Sequence, residues 1–367
     1  MNTLHLTEQA TLGALMLDPD LPAQTAGWLR SEDFADPWHA HVHKVIRELA
    51  AARQPIGPHD VGRAMIERLG HRVADAPRIV DLLQAAPVHP GGREYAALVV
   101  EASVRRQVAR FGVLLKGAAL TAVTTESAAV LDAVTGQIDA MAIAAERRHA
   151  LATGAPMLRA VDALSTAGPA VLPLQLAADR ALAAHPTPNA DEILGREATL
   201  VAALVTRPQH TQHVAAWLRA DKLTSDSWRP VYEAVLHLHG TGRRVDEITV
   251  AWELHRMSAV NGPGPTVDDL RQTVADASSL DVHFAARMVA GDQLRLAADQ
   301  AAQALCVDAA NPGLDVRDLL ETTGLLTAAL RSTAAQLDPV ARPAPEPDLV
   351  PSLPALRLVA PEAVLSR

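Results

Sequence analysis

The chain has 367 residues, nearly half of them apolar but only 3% aromatic, and carries a formal charge of −9. That length accommodates two or three domains with their own cores, and with so few aromatics those cores must be Leu, Ala and Val, which favours helices packed on helices. The negative charge argues against a protein whose main task is gripping phosphate backbones, and Cys306, the single cysteine, excludes an internal disulfide and makes the cytosol the expected compartment.

From the N-terminus, "MNTLHLTEQ" lacks the basic and apolar regions of a signal peptide, and no uncharged apolar run approaches membrane-spanning length. Helices are expected near 6–17, 20–30, 36–53, 58–69, 76–85, 92–120 and 126–148. The third shows the signal most clearly, since Val42, Val45, Ile46 and Leu49 repeat at the i, i+3, i+4, i+7 spacing of one buried face. The last two are long and carry Val108, Phe111 and Leu115, then Leu131, Val134, Ile138 and Met141. A helix of about 25 residues spans roughly 38 Å, more than a small bundle needs, so this pair reads as an antiparallel hairpin projecting from the bundle. Caps are expected at Thr7, Ser227 and Asp246.

After a stretch containing five prolines (150–189), the pattern returns about 189 residues later. "EQATLGALMLDPDLPAQTAGWLRSEDF" (8–34) faces "REATLVAALVTRPQHTQHVAAWLRADKL" (196–223), Val42, Ile46 and Leu49 face Val231, Val235 and Leu238, and Tyr95 faces Phe284. So long a period indicates duplicated domains and not a solenoid. The second copy is expected to form helices near 191–206, 209–219, 227–241, 246–258, 266–277, 282–308 and 314–337. The fold expected is therefore all-α, with domains at 1–149 and 190–337, a linker at 150–189 that holds one short helix near 174–184, and a Pro-rich tail at 338–367. The tail reads as disordered, with "LPALRLVAPEAVL" as an alternative docking peptide.

Three histidines, His39, His41 and His43, alternate at the start of the third helix. His39 and His43 share a face and could chelate together, but neighbouring sequence supplies no third ligand. The repeat places Trp228 and Tyr232 at those positions, so the face is built for large planar side chains, and no metal is expected.

The first copy resembles the N-terminal domain of DnaB-type replicative DNA helicases. Glu8, Leu12, Gly13, Leu15 and Asp18 fit that family's opening helix; Asp33-Phe34, His39-x-x-Val42, Pro55-Ile56, Tyr95-Ala96, Arg105 and Arg106 follow. The second copy is similar but more divergent. It has Lys222-Leu223 in place of Asp33-Phe34 and keeps the family's pattern in "VDEITVAWEL" (245–254), where the first copy has Gly57, Pro58 and His59. The family's motor is missing. None of the three lysines (Lys44, Lys116, Lys222) follows a glycine or precedes Ser or Thr, as a phosphate-cradling loop requires. No other catalytic signature is found, so neither an enzyme nor a cofactor is expected.

The resemblance implies a collar-type interaction protein of the replication machinery that docks primase, helicase or a loader. It also implies hairpin pairing, between chains in the family; here a linker of roughly 40 residues holds the second copy at high effective concentration, so pairing within the chain is expected, through Val108, Phe111 and Leu115. The alternatives are an accessory DNA-binding factor, contacting DNA through Arg105, Arg106 and Arg110, or a structural module with an unrelated partner. Only ten aromatics are available to stack bases, and residues 1–150 and 191–337 carry net charges of −2 and −6, which weakens the DNA-binding reading.

Overall fold

The computed structural model describes residues 3–74, 76–86, 91–156, 189–216, 218–261, 265–277 and 281–335, with a few isolated positions besides. Every regular element among them is helical. The first copy comprises α1 (Thr3–Leu17), α2 (Leu21–Thr25), α3 (Pro37–Ala51), α4 (Pro58–Leu69), α5 (His71–Ala74), α6 (Ala76–Ala85), α7 (Gly92–Thr125) and α8 (Ala129–Thr153). The second comprises α9 (Ala190–Thr206), α10 (Thr211–Ala215), α11 (Trp228–Gly240), α12 (Glu247–Asn261), α13 (Val267–Ala277), α14 (Val282–Ala310) and α15 (Val316–Ala334). Short 3₁₀ turns at Ser31–Asp33, Pro208–His210 and Ala220–Lys222 complete the list.

Local chemistry accounts for the helix ends. Asp36 accepts the Trp38 N–H at 2.7 Å, and Pro37, which has no N–H to leave unsatisfied, opens α3. Gly70 closes α4 at φ +81°, in the region that favours a residue without Cβ. Asn189, Asp281 and Asp315 each accept a backbone N–H at the start of α9, α14 and α15. Asp246 caps α12 as expected, bonding Ile248 N and Thr249 N while Thr249 Oγ1 accepts the Asp246 N–H.

Two expected caps fall elsewhere. Thr7 lies inside α1, which begins at Thr3, and its hydroxyl donates to the Thr3 carbonyl. Ser227 makes no side-chain cap; Ser225 Oγ accepts the Trp228 N–H instead, at 3.1 Å. The expected helix at 20–30 shrinks to Leu21–Thr25, because the chain turns through an extended Arg30 (φ −122°, ψ 158°) to bury Asp33. The expected helix at 209–219 is likewise a 3₁₀ turn followed by the short α10. The expected linker helix and the tail lie almost wholly outside the described residues. Ala178 is described: it is helical, buried and seated on α7, within 2.5 Å of where a Cβ on Gly117 would stand.

Two apolar cores result. One joins the first bundle to both hairpins, from Leu12, Trp28, Ile46 and Met65 through Val108, Phe111 and Leu131 to Leu294, Leu305, Leu319 and Leu330. The other lies inside the second bundle and contains Leu200, Leu204, Tyr232, Val235 and Val289. α7 is long and apolar enough to cross a bilayer by length and composition, but 56% of that apolar window is buried in protein. Its apolar surface is used for helix packing on α1, α8 and α14.

Candidate interaction surface

The hairpins pair with each other along the length of α7 and α14. Arg105 Nη1 and Nη2 donate to the carbonyls of Asn311 and Leu314 (2.6 Å each), Cys306 Sγ lies 3.8 Å from the Ala109 carbonyl, and Lys116 Nζ is 2.7 Å from Asp299. Farther along, Gly291 faces Val123, and Arg287 is 3.6 Å from Glu126. As one number rises the other falls, so the helices run antiparallel. Gly112 sits at the crossing, where an added Cβ would lie 3.0–3.1 Å from the backbone and Cβ of Ala302. Its counterpart by the repeat is Ala301, the neighbour of Ala302. Each copy therefore meets its own equivalent at this point, as at the two-fold axis of an isologous dimer. α8 and α15 close the arrangement, with Asp139 accepting from Thr327 Oγ1 and Arg331 Nη1 at 2.8 Å each.

Val108, Phe111 and Leu115 are all buried, in one core with Ala298, Ala301 and Leu305. The three arginines considered for DNA contact separate. Arg105 is bonded across the hairpins, and Arg106 donates to the Asp33 carbonyl, while Arg110 is exposed. A cleft between the end of α7, α9 and α14 is lined by Arg196, Arg287, Arg295, Asp292 and Glu126. Arg196 makes a two-point bond to Asp292 there (2.6 and 2.9 Å), so much of the cleft's positive charge already has an internal counter-ion.

Beneath the hairpin of the first copy, two buried carboxylates hold the 31–36 loop. Asp33, fully buried, accepts from Arg148 Nη1 (2.7 and 3.0 Å), Ser103 Oγ (2.7 Å) and Arg30 N (2.8 Å). Glu8 accepts from Ala35 N (2.6 Å), Asp36 N (3.3 Å) and His39 Nδ1 (2.8 Å). Burial alone would raise the Glu8 pKa, but these hydrogen bonds outweigh it and hold the group below its ordinary range. The second copy repeats the device with Glu197, which accepts from Thr224 N (2.6 Å) and Ser225 N (2.7 Å).

A pH dependence follows. A carboxylate whose folded pKa is depressed contributes stability above its unfolded value, and that stability is lost as pH falls through the folded value. Here the window opens below the reference value of 4.5. In urea titrations from about pH 6 to about pH 3, Glu8→Gln is expected to be less stable at neutral pH and to lose less on acidification than the parent. Parallel curves would rule out Glu8 as a source of the acid sensitivity.

His43, the other histidine on the face of His39, has partners of its own. Its Nδ1 is 3.0 Å from Ser31 Oγ and its ring 4.9 Å from Phe34. Burial, with a smaller contribution from Arg47, pushes its pKa down to about 3, so it is neutral. Tyr232, its counterpart, donates its hydroxyl to the Leu218 carbonyl at 2.9 Å. His41 is on the outside, with Nδ1 2.6 Å from the Pro37 carbonyl.

The family model described as the DnaB-like helicase N terminal domain matches residues 2–101 and again 190–290, more than half of the chain. The chain belongs to this family. The two matches are tandem copies of a replication-helicase-related domain, and each ends about ten residues into its long helix, so most of the paired hairpins lies beyond them. No curated protein and no solved structure matches the chain.

The outer face of one family repeat carries an anchor that the apolar periodicity did not reveal. On α12, Val250 and Leu254 are buried, whereas Ile248 and Trp252, four residues apart, are 66% and 61% exposed. The available signal was this second i, i+4 apolar pair, opposite the core stripe. An exposed Trp beside a β-branched residue on a rigid helix is the kind of side chain that dominates binding energy at interfaces.

Proposed function

We propose that the protein is a non-catalytic interaction module of DNA replication, a collar-type pair of helicase N-terminal domains that docks a helical partner: primase, the replicative helicase or its loader. The carrying observation is that two copies of this family's domain pair through their hairpins within one chain that has no Gly-Lys-Ser/Thr loop. The reading gives each bundle an outer surface for partners while the hairpins are occupied with one another. Ile248 and Trp252 are the apolar anchor of the second bundle in this reading.

The DNA-binding alternative is weaker, because Arg105 and Arg106 are engaged inside the molecule and Arg110 is the exposed member of the trio. The unrelated-partner alternative has no observation of its own in its favour.

The test is direct binding of the purified chain to the purified primase docking domain, helicase and loader of the same source, together with an ATPase assay. At least one of the three should bind, Trp252→Ala should weaken it by about tenfold or more without lowering the melting temperature, and ATP turnover should be absent. Deletion of 338–367 should leave binding intact. Failure of all three partners, or ATP turnover that survives size exclusion and chelator, overturns the reading; binding lost with the tail alone moves the site to the tail.

A further inference from the structure

The start of α1 and the start of α3 come together in the first bundle, and three potential ligands meet there. One donor atom from each of His5, Asp36 and His39 lies within 4.8 Å of the other two. The His5 and His39 rings are 4.8 Å apart between centroids, and His5 Nδ1 is 3.9 Å from Asp36 Oδ2. His39 itself is fully buried.

The hydrogen bonding of His39 decides which nitrogen it can offer. Nδ1 faces Glu8, whose carboxylate also receives two backbone N–H groups and so acts as an acceptor. The ring proton therefore sits on Nδ1, and Nε2 presents a lone pair. That lone pair is buried and has no hydrogen-bond partner among the described residues. A buried polar atom without a partner is costly and rare, and calls for an explanation. A carboxylate that fixes Nδ1–H while leaving Nε2 bare is the arrangement that orients a histidine toward a metal ion.

The second copy is an internal control. Glu197 holds the equivalent loop through the same two backbone N–H bonds, so the fold needs the glutamate in both halves. The positions equivalent to His5, Asp36 and His39 are Leu194, Ser225 and Trp228, none of them a charged or imidazole ligand. The ligand set is thus additional to what the loop requires, and peculiar to the first copy.

We propose that His5, Asp36 and His39 bind a divalent transition-metal ion of the zinc class, with Glu8 as the carboxylate that orients His39. Two imidazoles and one carboxylate suit Zn²⁺ and its borderline neighbours better than Mg²⁺ or Ca²⁺, which take oxygen ligands. Metal–ligand bonds of about 2.0–2.2 Å require donor atoms nearer to one another than 4.8 Å, so the site must contract on binding. His5 can supply that movement: it lies in the first turn of α1, with its side chain 38% exposed. Arg78 competes, since its Nη2 is 2.8 Å from Asp36 Oδ2. It is also stacked over Trp38, 4.1 Å from the ring, and can release the carboxylate while keeping that stack. A water molecule would complete four-coordination, and binding would clasp the first turn of α1 to the start of α3.

The experiment uses the full chain without a polyhistidine tag, stripped with chelator and titrated with Zn²⁺ alone by calorimetry, then with Co²⁺ followed by its visible absorption. One equivalent should bind and raise the melting temperature, and Co²⁺ should give the intense bands of a tetrahedral site. His5→Ala and Asp36→Asn should each weaken Zn²⁺ binding by at least about tenfold. In chelator His5→Ala should leave the melting temperature unchanged, since His5 is half-exposed, whereas Asp36→Asn keeps the helix cap but gives up the ion pair with Arg78 and should lower it modestly. No saturable binding, or binding and Co²⁺ bands unchanged in both variants, would overturn the proposal and assign any retained metal to other histidines.

Discussion

Arg148→Met is expected to destabilise the first copy by about 3–5 kcal/mol, the usual cost of leaving one member of a buried ion pair without its partner. Asp33 keeps the Arg30 N–H and the Ser103 hydroxyl in this variant but loses both bonds to the guanidinium, and it has no solvent contact to replace them. Methionine fills much of the same volume, so the charge and not a cavity carries the loss. The second substitution, Asp33→Asn, tests the cause. An asparagine can accept the Arg30 N–H and donate to Ser103 without needing a counter-ion. The double variant Asp33→Asn with Arg148→Met should therefore recover a substantial part of the stability lost in Arg148→Met alone. Chemical denaturation of the three variants measures this coupling. Additive losses would mean that Arg148 acts only through packing.

The second large effect concerns the hairpin crossing. Gly112→Leu places a branched side chain where even a Cβ would crowd the Ala302 backbone and Cβ at 3.0–3.1 Å. Backbone cannot move aside as a side-chain tip can, so the cost should reach or exceed the upper end of the usual range of about 1–3 kcal/mol for overpacking. Gly136→Leu on α8 is the control, because nothing lies within 4 Å of its added Cβ and leucine is the better helix former. A cysteine introduced at Ala109 reports the geometry, since Cys306 Sγ is 3.8 Å from the Ala109 carbonyl. With a short bifunctional thiol reagent, Ala109→Cys should crosslink within one chain and keep the monomer mass by light scattering. Adding Gly112→Leu should abolish that product, while adding Gly136→Leu should not. Crosslinks formed only between chains would show that the hairpins pair intermolecularly in solution.

Helix positions were legible in the sequence because they rest on local spacing. Val42, Ile46 and Leu49 mark α3, and they occupy the core together with Val45. The duplication was legible for the same reason, being a pattern compared with itself. Long-range partners were not. Asp33-Phe34 stood out as a family-like pair, but Arg148, which neutralises Asp33, is 115 residues away with no local pattern to mark it. In sequence Arg105 offered itself as a contact for DNA, whereas its acceptors are two carbonyls in the other copy, more than 200 residues on. The histidine cluster shows both sides. Helical geometry correctly put His39 and His43 on one buried face, yet the groups that approach His39 are Glu8 and His5 from another helix and Asp36 from its own cap. Spacing along one element does not disclose what a second element brings to it.

The crossing at Gly112 also determines which halves can recognise each other. Lys116 faces Asp299, and the residue of the first copy equivalent to Asp299 is Arg110. If two first copies from different molecules paired in the same register, Lys116 would meet Arg110, and by symmetry this would occur twice. Two second copies would set Asp299 against Leu305, the equivalent of Lys116, and leave that carboxylate without its cation. Like-with-like exchange is thus penalised in either combination, by repulsion in one and by an unmatched charge in the other. The molecule is directional as a result: its two bundles are fixed in unlike pairs, and one displays a tryptophan that the other lacks at that position, where the first copy has Arg63. Whatever binds this scaffold meets two distinguishable ends, at a fixed ratio of one to one.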